Sequence, residues 1–501
     1  MPPLPRVNWG GLVWFVVVAF TSVASGALTA LVGAKAVGII LGAMFGGLAF
    51  LFLSLDSIFI CQAALIYLVV GQLQYFAHVQ KAFWIPYLIG ALLFVIMPLA
   101  MMGKKAAKSK SSALSCEIAL ILFFAFLLSS TVVNGTGLLL AMLTISKYIF
   151  LWSFYIFIAS GLVTLPTVEQ FWRWLPWLVP LQLPVVVYQR FVVATNRIGT
   201  RLGGSSWDAI VGLFGGDPDH AGANGALGMF IVFGVVLAVS QWRTGAFGLW
   251  RVLFIGLTGL ASIALAEVKF AILMLPVSVA LLYRRELFQR PVRTLIILVF
   301  AFATAFLVLV AYQAQFTSAQ TKEGRSLGAY VDTAISRQTE ADVNMQTGEM
   351  GRGAAIKFWW RSHGLEAPVQ FVLGHGVGAA FVGQMAVGDE ARKYPFTLYR
   401  SALLVLLWDT GLLGATAFAL ALVLGSQAAW QTASRIERVS PPQAGILRAV
   451  SAGLLLFLLE LPYNTDLMET SSIQFLVIVM LAYVATLSRM QVTAPPPPTR
   501  A

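Results

Sequence analysis

The sequence alternates, over most of its length, between apolar runs close to 20 residues long and shorter polar connectors. Runs of that length match an α-helix that crosses a bilayer, whereas membrane strands would alternate in hydrophobicity over about ten residues. The pattern predicts an all-α polytopic membrane protein with about 12 to 14 transmembrane helices. The apolar segments lie at residues 11–31, 35–54, 57–76, 84–102, 116–133, 138–161, 172–190, 223–241, 248–266, 268–283, 292–312, 399–430, 446–463 and 470–487.

Two regions predict irregular helices. The segment at 268–283 is short and contains Pro276, so the pair at 248–283 is predicted to form a broken or re-entrant unit. The segment at 399–430 is too long for one plain span, and the polar run WDTG lies inside it at 408–411. This run predicts a short partial helix that leads into a full span.

Composition supports a membrane protein and excludes other classes. Hydrophobic residues form 59% of the chain, charged residues form 11%, and the mean hydropathy is +0.83, whereas about a quarter of the residues in a soluble domain are charged. The net charge of +12 lies largely in short loops, where basic residues orient helices, so no nucleic-acid partner is predicted. Cys61 and Cys116 form no metal-binding or disulfide pattern.

The distribution of basic residues predicts the orientation. With a cytoplasmic N-terminus, the cytoplasmic connectors contain the lysines at 104–110 and the arginines at 284–293 and 435–448, and the first outer connectors contain only Lys35 and Lys81. The N-terminal run resembles a secretory signal but is predicted to remain as the first helix. The predicted regions are an N-terminal bundle at 1–312, a periplasmic or extracellular loop at 313–398, C-terminal helices at 399–488 and a disordered cytoplasmic tail at 489–501.

The loop at 313–398 is the longest polar excursion of the chain. It carries eight Lys or Arg residues against eight Asp or Glu residues, which favours a folded cap over a basic tail. Helices are predicted at 325–337 and 352–363, the second carrying the pair Trp359 and Trp360. The run LGHGVG at 373–378 allows a tight turn and close approach of the backbone to an anion or a sugar. The alternative interpretations are that the glycine-rich run forms an ordinary turn and that the two tryptophans pack in a core.

Several charged residues lie where a membrane protein would disfavour them. Lys147, Glu267 and Lys269 fall within or at the ends of apolar segments, where ionisable side chains mark functional sites. Basic residues from different spans are predicted to meet at the outer surface, and such a ring of fixed cations suits a lipid-linked phosphate or diphosphate. Attachment to lipid headgroups is the alternative. The ring consists of Arg190, Arg197, Arg201, Lys269 and Arg400.

Four sequence landmarks, in this order, resemble the O-antigen ligase and polymerase superfamily of bacterial envelope glycan assembly. They are GLFGGDP at 212–218, AEVK at 266–269, the stretch from Arg352 to Trp360 followed by LGHGVG at 373–378, and Arg400-Ser401 placed nine residues before GLLG at 411–414. The last landmark resembles the ligase signature in spacing, but the ligases have histidine where this chain has Arg400. The resemblance covers roughly residues 180–430 by motif and the whole chain by topology.

This resemblance implies a Wzy-type polysaccharide polymerase rather than a ligase, because the ligase histidine is thought to be catalytic. Such an enzyme transfers a polyprenyl-diphosphate-linked glycan chain onto an incoming lipid-linked repeat unit at the outer face of the bacterial inner membrane. Electrophilic roles are expected for Arg190, Arg197, Lys269 and Arg400, and also for Arg201, because departure of the donor leaves negative charge on the diphosphate. His375 or His363 is the expected base for the acceptor, and Glu267 is the alternative.

The remaining expectations concern ligands and alternatives. The sugar groove is expected to be lined by Arg352, Trp360 and Arg361. No metal, cofactor or nucleotide sugar is expected. The expected partners are the lipid-linked oligosaccharide and membrane lipids, and a chain-length regulator and a flippase are candidate partners. Two other functions stay open from the sequence, namely an O-antigen ligase that transfers glycan to lipid A core and a flippase or transporter for a lipid-linked substrate.

Overall fold

The computed structural model describes residues 53–102, 115–196, 209–216, 224–290, 350–364, 366–383 and 386–490, with a few isolated positions between 292 and 303. Residues 53–59 belong to one compact unit, Met1–Phe59, and the other described residues belong to a second, Ile60–Ala501. Every structural element in the described ranges is helical, apart from a single bridge between Val382 and Val387. All contacts discussed below lie within the second unit.

Within the described residues, eight apolar helices precede the cap. They are α1 (Leu55–Tyr75), α2 (Gln80–Met102), α3 (Ser115–Val133), α4 (Leu138–Ala159), α5 (Leu165–Ala194), α6 (Asn224–Arg243), α7 (Leu249–Ala266) and α8 (Lys269–Leu282). A short α9 (Arg284–Gln289) follows α8. The described part of the predicted loop, residues 350–398, is called the cap and contains α10 (Arg352–His363), α11 (Pro368–Leu373) and α12 (Asp389–Lys393).

Four helices follow the cap. They are α13 (Ala402–Ile436), α14 (Pro441–Glu460), the short α15 (Asp466–Glu469) and α16 (Ser471–Arg489). Within the described ranges, ten helices are long and apolar enough to cross a membrane, and α8, with 14 residues, is the shorter apolar helix. These findings confirm an all-α polytopic membrane protein.

The apolar pattern located the helices well. Eleven of the predicted segments fall on described residues, and each of them contains a helix. The segments at 11–31, 35–54 and 292–312, as well as the cap helix predicted at 325–337, lie wholly or mainly outside the described residues. The cap helix predicted at 352–363 is confirmed, since α10 has those bounds.

The centre of the bundle is formed by α6 and α16, the most deeply buried of the candidate spans. Aromatic side chains fill the space around them, with Tyr67 against Phe230 at 5.5 Å between ring centroids and Trp172 against Tyr483 at 5.9 Å. On one side α13 packs along α14 and α3, and on the other α7 packs against α5 and α6. Buried aromatic rings of this size supply much of the packing energy of a core.

The two ends of the bundle differ in chemistry. At the end away from the cap, arginines at helix termini pair with carboxylates, as in Arg489 with Glu117 at 2.5 Å and Arg448 with Glu437 at 2.6 Å. At the cap end, residues 461–470 join α14 to α16; we call them the 461–470 connector. The first backbone amides of α13 donate to this connector, with Ala402 bonding the Asn464 carbonyl at 2.7 Å. The cap end is therefore tied together by a segment near the C-terminus.

Candidate functional site

The 461–470 connector brings together several of the residues expected at a site. The Arg352 guanidinium lies over the Tyr463 ring, 4.4 Å from its centroid. Tyr463 in turn stacks on Phe270, with 3.9 Å between ring centroids, and Phe270 follows Lys269 directly in the sequence. The start of α10 and the start of α8 thus meet at one aromatic stack on the connector.

Arg400 reaches the same place through the start of α13. Ser401 caps this helix by accepting a hydrogen bond from the Leu404 backbone amide at 3.4 Å. The backbone amide of Leu403 donates to the Leu461 carbonyl at 2.8 Å. Arg400 itself is half-buried. The cap exit therefore places Arg400 beside the connector that carries Tyr463.

Arg190 and Glu267 form a buried ion pair at the end of α7. Glu267 has a positive φ of 59° and ends the helix in the left-handed conformation, which turns the chain towards α8. Its carboxylate accepts a hydrogen bond from Arg190 at 2.8 Å, and the two side chains are 10% and 4% exposed. The charge of Arg190 is thus compensated in place, and Glu267 is held two residues before Lys269.

The remaining predicted site residues are distributed over the cap. Trp360 and Arg361 lie on the exposed side of α10, with Trp360 also packed edge-on against Phe371. Arg197 and Arg201 lie outside the described residues. The structure thus assembles Arg190, Glu267, Lys269, Arg352 and Arg400 at the cap end, and it places His363 and His375 in a separate cluster described next.

The cap packs onto a break in α13. Gly411 has φ 64° and ψ −165°, values that interrupt the helix between residues 402–410 and the long remainder. The glycine-rich turn of the cap fits this break, and the His375 amide donates to the Trp408 carbonyl at 2.8 Å. Ser130 of α3 donates to the Asp409 carbonyl at 2.7 Å. The partial helix predicted from the WDTG run is confirmed, and the carbonyls freed by the break are bonded.

Two histidines form a hydrogen-bonded chain inside the cap. His375 Nδ1 lies 3.0 Å from a Glu390 carboxylate oxygen, and its Nε2 lies 2.5 Å from His363 Nε2. His363 Nδ1 lies 2.7 Å from the Trp359 carbonyl. The ammonium of Lys393 binds Glu390 at 2.5 Å. All four imidazole nitrogens therefore have partners within the cap.

The partners determine where the protons lie. The Trp359 carbonyl only accepts, so His363 Nδ1 carries a proton, and the ionised Glu390 accepts a hydrogen bond from the Nδ1–H group of His375. One further proton must lie between the two Nε2 atoms, because two lone pairs would repel each other at this distance. Burial lowers the pKa of His363. The contact between the two Nε2 atoms therefore links the histidines through one shared hydrogen bond.

Glu390 gives the cap a defined pH dependence. Burial alone would raise its pKa, but hydrogen bonds from His375 and Lys393 outweigh burial and lower the pKa from 4.5 to about 2. A carboxyl with a lowered pKa stabilises the fold above its unfolded pKa, and this contribution is lost as the pH falls from about 4.5 to about 2. We expect Glu390→Gln to lose about 2 to 3 kcal/mol of stability at pH 7 and to lack this pH dependence.

Thermal unfolding of the purified protein between pH 2.5 and 7 measures this effect. Glu366→Gln is the matched control, because Glu366 is an exposed carboxylate of the same cap, and it is expected to follow the wild type at every pH. Equal melting temperatures for Glu390→Gln and the wild type at pH 7 would show that the chain of hydrogen bonds does not stabilise the cap.

A second polar cluster lies beside the break in α13. Asp409 is 3% exposed, and the Tyr148 hydroxyl donates to its carboxylate at 2.9 Å. The adjacent Lys147 ammonium lies 3.6 Å from a Glu469 oxygen and 4.8 Å from the centroid of the Phe381 ring. These two pairs border a narrow cavity that is open at its mouth and encloses about 30 Å³.

Sequence reasoning identified only part of this second cluster. The sequence indicates Lys147 as a charge within an apolar segment, and it indicates Asp409 only as part of the polar WDTG run. Glu469 and Glu390 lie in stretches that read as ordinary polar connectors, so no local signal distinguished them. Within the described ranges, no group of three or more His, Cys, Asp or Glu side chains is arranged to hold a metal ion.

The fold and the sites define a class of protein, a polytopic α-helical membrane protein with a polar cap over charged clusters at one end of its bundle. Comparison with known proteins adds no family to this description: the chain matches no protein-family model, and no curated protein matches it significantly.

Proposed function

We propose that this protein is a glycosyltransferase that polymerises a polysaccharide from polyprenyl-diphosphate-linked repeat units. The observation that supports this proposal is the convergence of charged residues from four distant parts of the chain on one connector. Their positions are 190, 267–269, 352 and 400, and the contacts with the 461–470 connector lie at its residues 461–464. Four of the five charged residues at these positions are basic, a composition that suits an anionic ligand.

The chemistry of the group fits a lipid diphosphate. Arg352 and Arg400 can bind phosphate oxygens through two N–H groups at once, and guanidinium groups keep their charge at any physiological pH. When the glycosidic bond to the donor breaks, negative charge develops on the diphosphate, and fixed cations stabilise that charge without a metal. The Arg190–Glu267 pair holds the turn before Lys269 in place, which orients the lysine at the start of α8.

The cap supplies surfaces that suit the glycan. The exposed faces of Trp360 and Arg361 on α10 offer an aromatic platform and a hydrogen-bond donor above the charged group. α10 begins at Arg352, so the same helix contacts the diphosphate site at one end and carries the sugar-binding side chains further along. This arrangement favours a substrate whose lipid phosphate and sugars bind together.

We place the cap in the periplasm and the protein in the bacterial inner membrane, with both termini cytoplasmic. The arginine-rich helix ends opposite the cap support this orientation, because basic connectors are retained in the cytoplasm. A lipid-linked oligosaccharide would then be used after it has crossed to the outer face. A chain-length regulator and a flippase are the partners that such an enzyme requires.

The decisive experiment reconstitutes the purified protein in vesicles whose outer face corresponds to the cap side. Lipid-diphosphate-linked repeat units added to that face are expected to form polymer, which a gel resolves as a ladder. A flippase would leave single units unchanged, and a ligase would produce glycan only on added lipid A core. Failure to form a ladder under conditions where the protein is folded would refute the polymerase proposal.

A further inference from the structure

Transfer of a glycan to a hydroxyl group requires an acceptor for the hydroxyl proton. His363 and His375 use all of their ring nitrogens within the cap, so either one could take a proton only after a contact opened. Glu267 is paired with Arg190 and its side chain is only 10% exposed, which leaves it little access to a substrate. Two carboxylates of the second cluster, Asp409 and Glu469, are the alternative candidates for the base.

The exposure of the two carboxylates differs. Asp409 is 3% exposed and is held by the Tyr148 hydroxyl, with the backbone N–H groups of Gly378 and Ala379 also interacting with it. Glu469 is 33% exposed and borders the same cavity. A base must reach its substrate, so Glu469 is the better placed of the two. Asp409 acts as a fixed part of the wall.

The mouth of the cavity combines aromatic and charged side chains. Its wall includes the rings of Phe381 and Tyr399, and its polar side includes Lys147 and Glu469. An aromatic wall opposite charged hydrogen-bonding groups is a common arrangement around sugars. The Lys147 ammonium lies 3.6 Å from the Glu469 carboxylate and holds it at the border of the cavity.

The cavity is linked to the cation group through neighbouring residues of the chain. Tyr399 lines it and directly precedes Arg400 in the chain. Glu469 lies on the same 461–470 connector as Tyr463, which stacks between Arg352 and Phe270. One short segment therefore joins the position expected for the donor diphosphate to the carboxylate of the cavity.

We propose that the cavity bordered by Lys147 and Glu469 is the acceptor site and that Glu469 is the catalytic base, an inference that rests on the proposed polymerase function. The acceptor hydroxyl oxygen forms a bond to the anomeric carbon of the donor, and the bond between that carbon and the diphosphate oxygen breaks. The hydroxyl proton passes to the Glu469 carboxylate, and the electron pair of the broken bond stays on the diphosphate. Glu469 then releases its proton to water.

Glu469→Ala tests this role in the reconstituted assay. General bases contribute about 10²- to 10⁴-fold, so we expect kcat to fall at least about 100-fold while the KM for the donor changes little. Added formate should restore at least about tenfold of the lost rate, because it replaces the missing carboxylate. Glu469→Asp should keep more activity than Glu469→Ala, and the acidic limb of the pH–rate profile should disappear in Glu469→Gln.

Glu366→Gln serves as the matched control, since it removes an exposed cap carboxylate; its rate is expected to equal that of the wild type, with and without formate. A folded Glu469→Ala protein that keeps its rate overturns the assignment, and so does a loss that formate does not restore. In both cases the wild type still forms polymer, so the polymerase proposal stands. A wild type that forms no polymer overturns that proposal itself.

Discussion

Arg400→Ala and Lys269→Ala are expected to abolish polymer while leaving the protein at normal levels in the membrane. Each change removes a cation from the group that stabilises the departing diphosphate, and loss of one such group commonly lowers the rate about 10²- to 10³-fold. Single lipid-linked repeat units should accumulate in cells. The measurements are the polymer ladder, the amount of lipid-linked unit and the amount of protein in isolated membranes.

Two further variants make this result specific. Arg400→Lys keeps the charge but loses the planar pair of N–H groups, so it should retain part of the activity. Arg392→Ala removes an arginine of the cap whose side chain is 65% exposed, and normal polymer is expected from it. Polymer of normal length and amount from both Arg400→Ala and Lys269→Ala would rule out the proposed donor site.

Gly411→Ala is expected to destabilise the protein by about 3 kcal/mol or more. The residue has a φ of 64°, which costs a residue with a side chain roughly 1–3 kcal/mol. A Cβ atom there would also lie 2.4 Å from the Val372 carbonyl oxygen and 2.5 Å from the Gly374 nitrogen. Both neighbours are backbone atoms of the turn that packs on the break, so relief of the clash requires the cap to move away from α13.

Thermal unfolding in detergent, combined with hydrogen exchange of residues 373–378, measures this effect. Gly256→Ala is the control, because Gly256 lies inside α7 and a Cβ atom there would meet no other atom within 4 Å. That change should leave stability unchanged or slightly raised, since alanine favours a helix. Equal stability of the two variants would mean that the break at Gly411 does not hold the cap.

The sequence predicted the helices because the length of an apolar run is local information. It also predicted the break in α13, since a polar run inside an apolar segment marks a place where the helix cannot continue unchanged. The glycines at 374 and 411 are explained by the same contact, where the backbone of the cap turn approaches the break. Packing alone therefore explains a glycine in the LGHGVG run at 373–378 and a glycine in the GLLG run at 411–414, without reference to a family.

The pairs could not be predicted from the sequence. Lys147 and Glu469 are separated by more than 300 residues, and nothing in either neighbourhood specifies the other. His363, His375 and Glu390 lie closer together, but their hydrogen bonds depend on how the cap turn docks on Trp408. The sequence predicts that Arg190 belongs to a ring of cations, whereas in the fold Arg190 pairs with Glu267. Contacts of this kind follow from tertiary packing.

The break in α13 also has an electrostatic consequence for the cap. The backbone dipoles of residues 402–410 add up to a partial negative charge at the end of this half-helix. That end points at the cap turn, where the Trp408 carbonyl accepts the His375 amide. The negative end of the half-helix therefore faces an N–H donor of the cap turn, and the dipole strengthens the hydrogen bond through which the cap docks. The interruption at Gly411 thus gives the cap an electrostatic attachment that a continuous helix would not offer.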